Sequence, residues 1–256
     1  SHALEYCSAD YAIAQLADSL GDKARAKEFM KRSQSYRRYY CKEHGTLRPL
    51  TKEGKFLGDF DPATGKNFEN VPGFHEASAW CYTFAVPHDI DGLARLMGGK
   101  KNFIKSLQGV FDNGHYDPAN EPDIVYAYLF SRIKGEEWRT QKEVKNILDN
   151  HYKNAPDGIP GNDDTGTMSA WAVFSMMGIY PDCPGQPTYT ITTPVFDKVT
   201  ITPPGKEIVI GCDRPTADSH YIGDIKLNGK QSGYRITHKQ LTDNANIKLK
   251  LKKEPK

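Results

Sequence analysis

The stretch from Gly158 to Pro181 reads Gly-Ile-Pro-Gly-Asn-Asp-Asp-Thr-Gly-Thr-Met-Ser-Ala-Trp-Ala-Val-Phe-Ser-Met-Met-Gly-Ile-Tyr-Pro and runs from a polar loop into an apolar helix. After Thr165, the residues Met168, Trp171, Ala172, Phe174, Ser175 and Met176 recur at helical spacing, and Gly178 and Pro181 close the segment. The pattern predicts a mostly buried helix with Asp163 and Asp164 at its N-terminus. One aspartate there is explained by capping, because a carboxylate before a helix accepts orphan amide donors and complements the dipole. Only one side chain can occupy the cap position, so the second acid is left over for other work.

Outward from this stretch, 256 residues with 38% hydrophobic and 26% charged composition suffice for one large domain, or one domain and a small module. The net charge of +2 comes from nearly balanced acids and bases, which gives no global field for nucleic acid. No apolar run approaches the roughly 18 to 20 residues that span a bilayer. The chain starts at Ser1-His2 without Met and enters helical pattern at once, so upstream residues and any targeting signal are expected to lie outside it. Five dispersed cysteines, an odd number with no C-x-x-C pair, argue against a zinc site and against a disulfide-stapled scaffold and read mostly as buried thiols, with one bridge left open.

Taken from the start, the first half is helical. Leu4 to Leu20 and Lys23 to Tyr40 form a helical hairpin across Gly21-Asp22. Cys41 to Pro72 is a glycine- and proline-broken loop whose Phe56, Phe60 and Phe68 are candidates for a small core of its own. A helix is expected from near Glu76 to Val86-Pro87, and Glu76 in a first turn would be favoured by the dipole whatever the function. Ile90 to Met97 pairs with Asn102 to Val110; a loop with Asn120-Glu121 leads to a helix around Tyr126, and Trp138 to Tyr152 marks the next. Acidic clusters recur where a loop enters a helix, and in a ring of antiparallel helix pairs such junctions converge on one cavity.

Beyond Cys183-Pro184-Gly185-Gln186-Pro187 the texture changes to short β-rich runs: Thr188 to Thr192, Lys198 to Ile201, Ile208 to Ile210, Tyr221 to Leu227 and Ile247 to Leu251. Asn228-Gly229 is a strong hairpin signal. The reading is a helical domain over 1–186 and a small antiparallel β module over 187–256.

Several ordered motifs then carry a resemblance: Glu76-Ala-Ser-Ala-Trp80-Cys-Tyr82, Val86-Pro-His88-Asp89, Asn120-Glu121-Pro122, Trp138-Arg-Thr-Gln-Lys142, Pro156-Asp-Gly-Ile-Pro-Gly-Asn-Asp163-Asp164, Met168-Ser-Ala-Trp171 and Phe196-Asp-Lys-Val-Thr-Ile201. In that order they are similar to glycoside hydrolase family 92, calcium-dependent, inverting exo-α-mannosidases. The resemblance covers nearly the whole chain. It implies an (α/α)6 helical toroid followed by a β-sandwich, with this chain as the C-terminal portion and the N-terminal part of the same polypeptide as its missing partner.

The resemblance implies roles residue by residue. Glu76 becomes the general acid and Asp164 the base, with Asp163 its neighbour. Asn120 and Glu121 become calcium ligands; Trp80, His88 and Asp89 become contacts to a mannose-containing oligosaccharide. Such a pair is needed because inversion requires one carboxylic acid to protonate the leaving oxygen and a carboxylate opposite to activate water. Hard oxygen ligands suit calcium. Glu121 is the alternative to Glu76 as the acid. Relatives also imply a periplasmic or secreted location.

Two departures limit the reading. Asp123-Ile124-Val125 stands where many relatives carry Ser-His-His, and the segment between Met97 and Asn120 is shorter, so the linkage cleaved, α-1,2 among the candidates, stays open. Two other classes remain in competition: a non-catalytic carbohydrate-binding or structural fragment of a longer glycosidase, and a different helical-toroid enzyme such as a lyase.

Overall fold

A computed structural model describes residues 1–65 and 69–255. Phe68, expected in the core of the long loop, lies outside the described residues. The chain divides into two compact units, Ser1–Tyr126 with Cys183–Gln186, and Ala127–Asp182 with Pro187–Lys256. The polypeptide therefore leaves the first unit after Tyr126 and returns to it for four residues, Cys183–Gln186, before completing the second.

The first unit opens with the expected hairpin of α1 (His2–Ser19) and α2 (Lys23–Ser33). The turn between them uses Gly21 at φ 82° and Asp22, whose carboxylate accepts the Arg25 N–H to cap α2. The second helix is shorter than its periodicity suggests: it changes at Ser35–Tyr39 into a tighter 3-10 turn that buries Tyr36. The long loop holds a two-stranded hairpin, β1 (Tyr40–Cys41) and β2 (Thr46–Leu47), and Phe56 and Phe60 gather on the Arg48 guanidinium at 5.8 and 5.1 Å. The helices α3 (Ala79–Thr83), α4 (Ile90–Leu96) and α5 (Lys100–Asp112) follow. They bury Phe84, Leu93, Phe103 and Leu107 almost completely. In the segment Cys183–Gln186, Gln186 Nε2 donates to the Tyr11 hydroxyl at 3.2 Å, and a Cβ on Gly185 would stand 2.7 Å from the Ala12 Cα.

The expected helix from Glu76 onward is corrected. Ser78 caps α3 by accepting the Cys81 N–H, so Glu76 lies two residues before the cap and its position owes nothing to a first-turn dipole.

A four-residue helix, α6 (Tyr126–Leu129), leads into the second unit, which carries α7 (Glu137–His151), α8 (Thr167–Met177) and the remaining strands. One sheet joins β3 (Ile179–Tyr180), β4 (Thr188–Ile191) and β9 (Arg235–Thr237), and a short α9 (His238–Thr242) follows β9. The other has the order β5-β6-β10-β7-β8, formed by β5 (Lys198–Ile201), β6 (Ile208–Asp213), β7 (Tyr221–Leu227), β8 (Lys230–Gln231) and β10 (Asn246–Lys252). Isoleucines and leucines from both sheets, among them Ile191, Ile210, Ile236, Ile247 and Leu249, form one buried core. The Asn228-Gly229 hairpin is present, with both residues at positive φ, 49° and 78°, as a type I′ turn requires.

The module is not wholly antiparallel as expected: β10 pairs in parallel with β6, Ile247 opposite Ile210. A parallel neighbour needs a crossover rather than a hairpin, and the β7 to β9 excursion supplies it. Helix α7 is tied to this sheet through Gln141, whose side-chain oxygen accepts the Ile222 N–H at 2.7 Å and whose carbonyl meets His220 Nε2 at 2.6 Å.

Candidate active site

In the first unit, Glu76 is held in the left-handed region at φ 52°, which L-residues other than Gly, Asn and Asp seldom adopt. Two asparagines hold it there. Asn70 Oδ1 accepts the Glu76 N–H at 3.2 Å, and the Asn120 amide donates to the Glu76 carbonyl at 2.7 Å. The backbone is thus clamped while the carboxylate projects, 40% exposed, with His75 Nε2 at 3.9 Å. Backbone strain held by surrounding structure is characteristic of functional positions.

The loop that brings Asn120 is itself anchored. Asp123 is fully buried and its Oδ2 accepts the Asp117 N–H at 2.8 Å, while Asp117 Oδ1 accepts the Ala119 N–H at 2.9 Å. Asp123 Oδ1 meets no donor at normal hydrogen-bond distance, and burial pushes this carboxyl well above the usual range. Cys81 lies beside it, and burial, with the Asp123 charge adding, pushes its thiol up to about 12. Glu121 by contrast is exposed. Its charge reaches Glu5 of α1, whose carboxyl is raised first by desolvation and then by Glu121, and Tyr82, which burial and the Glu5 charge push up to about 12.

Asn120 and Glu121 thus offer an amide and a carboxylate, with a second carboxylate at Glu5 in electrostatic range. That set is all oxygen, the chemistry a hard cation such as calcium takes, and a cation would offset the repulsion between the two acids. Sequence reasoning missed Glu5 altogether, and Asp123 it registered only as a departure from a pattern.

The three remaining residues of this unit differ among themselves. Trp80 lies flat against His115, ring centroids 5.4 Å apart, and lines a cavity of about 470 Å³ together with Tyr40, Asn102 and Asn113. His88 is packed inside: Nε2 meets the Ser33 carbonyl at 3.0 Å, and the ring stacks on Tyr11. Asp89 is engaged at both oxygens, Oδ1 capping α4 through the Gly92 N–H and Oδ2 accepting from Tyr36 and Arg37. A second cavity, about 390 Å³, is lined by Arg48, Asn70, Phe74 and His75, beside the Glu76 clamp.

In the second unit the paired aspartates divide the work. Asp163 Oδ1 accepts the Ser169 N–H at 2.8 Å and Oδ2 the Ser169 hydroxyl at 2.9 Å, so it satisfies the open end of α8 from outside the helix. The cap position itself is Gly166, and Asp164, Thr165 and Gly166 run consecutively through the left-handed region at φ 46°, 63° and 89°. Thr165 is the most strained, because its branched Cβ crowds the backbone there. Asp164 turns its carbonyl to the Thr167 N–H and hydroxyl, at 3.3 and 2.7 Å, and leaves its carboxylate exposed. Tyr152, raised to about 12 by burial and then by the Asp163 charge, packs flat on Trp171 under this loop.

Residues 1–253 match the model of the glycosyl hydrolase family 92 catalytic domain. The chain belongs to glycosyl hydrolase family 92. Its similarity to solved family 92 structures is close. With a family 92 α-mannosidase of Bacteroides thetaiotaomicron bound to mannoimidazole it shares 30% identity at a TM-score of 0.92, over 99% of this chain and 36% of that one. With a family 92 inverting mannosidase of the same species it shares 33% identity at a TM-score of 0.88, over 99% of this chain and 37% of that one. A protein of Arthroderma benhamiae described as an uncharacterized secreted glycosidase is 28% identical over 278 residues, 99% of this chain and 36% of that protein. The chain thus spans about a third of the length of the family 92 relatives it matches. No helix among the described residues is long and apolar enough to cross a membrane.

Proposed function

We propose that this chain is the C-terminal part of the catalytic region of a calcium-dependent, inverting exo-α-mannosidase that removes terminal α-linked mannose from glycans, acting in the periplasm or outside the cell. In this reading 1–186 contributes to an (α/α)6 toroid and 187–256 is the β module behind it. The observation that carries the reading is that, of the three acids in the left-handed region among the described residues, two, Glu76 and Asp164, each stand ahead of a helix with the backbone bonded inside its own unit and the carboxylate left outward, the third being Asp59 in the long loop.

Glu76 is the general acid, delivering its proton to the leaving oxygen, and Asp164 is the base that takes a proton from the attacking water. Asp163 keeps the Asp164 loop in register with α8. Asn120 and Glu121 would hold calcium, which would supply positive charge to polarise the sugar's hydroxyls and to balance Glu121. Trp80 offers an aromatic face for the sugar; His88 and Asp89 support the site from within their helices.

The fragment reading keeps one observation in its favour, the coverage of about a third of the relatives' length. Both readings meet in one experiment: release of mannose from α-mannosyl oligosaccharides by this chain and by the longer polypeptide, with and without a calcium chelator. Glu76→Gln and Asp164→Asn in the longer polypeptide should each lower turnover by about 10²–10⁴-fold with calcium binding intact. Loss of calcium binding in Glu76→Gln with retained acid catalysis would instead exchange the roles of Glu76 and Glu121. Activity unaffected by the chelator would remove the metal from the proposal.

A further inference from the structure

We propose that the turn of the β1–β2 hairpin is a binding site for one divalent ion of borderline softness, zinc in the first instance, held by Cys41, Glu43 and His44. One ligand atom from each of these residues lies within 4.8 Å of the other two. Tetrahedral zinc takes thiolate, imidazole and carboxylate at about 2.0–2.3 Å, so donors this close need only small side-chain movements to share an ion. Thiolate and imidazole disfavour calcium, which takes oxygen, so the site is chemically distinct from the Asn120 and Glu121 set and does not depend on the mannosidase reading.

The scaffold is built before any ion arrives. The turn is closed by the Gly45 N–H donating to the Cys41 carbonyl at 2.9 Å, with Gly45 at φ 69°, and the ladder pairs Cys41 with Thr46 and Tyr40 with Leu47. Beneath it, the Leu47 N–H donates to the Thr83 hydroxyl at 3.1 Å, tying the hairpin to α3. The His44 ring is steadied by the edge-on Phe60, with centroids 5.3 Å apart. Exposure grades across the three ligands: Cys41 is buried, His44 half-buried and Glu43 exposed. An ion therefore enters past Glu43, reaches the thiol at the bottom, and keeps a fourth position for water.

Arg48 stands beside His44. Its Nη1 stands 3.2 Å from His44 Nε2, and the same guanidinium donates to the Leu57 carbonyl. An ion bound at that ring nitrogen displaces only the first contact; the second keeps Arg48 in the loop. On binding, the Cys41 thiol gives its proton to solvent, because the thiolate is the ligand.

The test is a titration of the 256-residue chain with cobalt(II), followed by its thiolate-to-metal absorption, then displacement by zinc and by calcium. One saturating equivalent, displaced by zinc and untouched by excess calcium, is expected. Cys41→Ser should abolish the absorption; Glu43→Gln and His44→Gln should each weaken binding by at least the roughly tenfold that loss of an outer-shell partner costs. Cys212→Ser, at the one cysteine that is not buried, should leave it unchanged. Absence of a saturable one-to-one signal, or a signal that survives Cys41→Ser, overturns the proposal. Should Cys41→Ser fail to fold by circular dichroism, unchanged affinity in both Glu43→Gln and His44→Gln overturns it equally.

Discussion

The loop that presents Glu76 and the loop that presents Asp164 solve one problem by different means. Each places an acid in the left-handed region ahead of a helix and leaves its carboxylate outward. The Asp164 loop does so locally: Asp163, Ser169 and Thr167 supply its bonds from within six residues. The Glu76 loop borrows its clamp from Asn120, 44 positions away, and that asparagine depends in turn on the buried Asp123. A locally closed loop tolerates change elsewhere; a loop clamped from afar inherits every defect of its clamp.

This contrast can be broken most directly at Asn120. Asn120→Ala removes the amide from the Glu76 carbonyl and should cost about 1–3 kcal/mol of stability, measured by urea unfolding, with turnover falling in the longer polypeptide. An unchanged unfolding midpoint would show that the Glu76 conformation is self-sustaining. Next in size is strain relief on the other side. Thr165→Gly should raise stability by about 1–2 kcal/mol, read by thermal unfolding, because glycine adopts the left-handed region without the Cβ clash. Ser169→Ala should cost about 0.5–1.5 kcal/mol, since the hydroxyl is lost while the Ser169 N–H still reaches Asp163. A larger loss there than at Asn120 would reverse the ranking of the two loops.

A finer comparison uses pH. His88 in the first unit and His220 in the second are both lowered from the ordinary value of 6.5 by burial, so each is neutral when folded and takes a proton more readily when unfolded. Their contribution to stability is therefore present above about 6.5 and lost as the pH falls through and below that value. His88→Gln and His220→Gln should each flatten the fall in unfolding midpoint between about pH 7.5 and 5.5, and equal flattening would indicate that neither unit is the weaker one in acid.

The sequence shows these two loops unequally for the same reason. Asn-Asp-Asp-Thr-Gly before an apolar helical run is a local signal, and Asp163 does satisfy α8, though from outside the cap position. The strand positions and the Asn228-Gly229 turn were legible because alternation and turn chemistry act over a few residues. Glu76 was misplaced into a helix because nothing nearby announces that Ser78 would take the cap or that Asn120 would hold its carbonyl. Asp123 drew notice only as an unfamiliar residue, since burial of an acid follows from tertiary packing. The parallel partnership of β6 and β10 is likewise a matter of topology, invisible to a period-two pattern.

The return of Cys183–Gln186 to the first unit has a practical consequence. Cutting the polypeptide after Tyr126 would yield a piece whose α1 had lost its clasp, with Tyr11 deprived of Gln186 and Ala12 uncovered where Gly185 had pressed against it. Neither unit can be obtained whole by a single scission, because the polypeptide passes between them three times and one nick leaves two crossings intact.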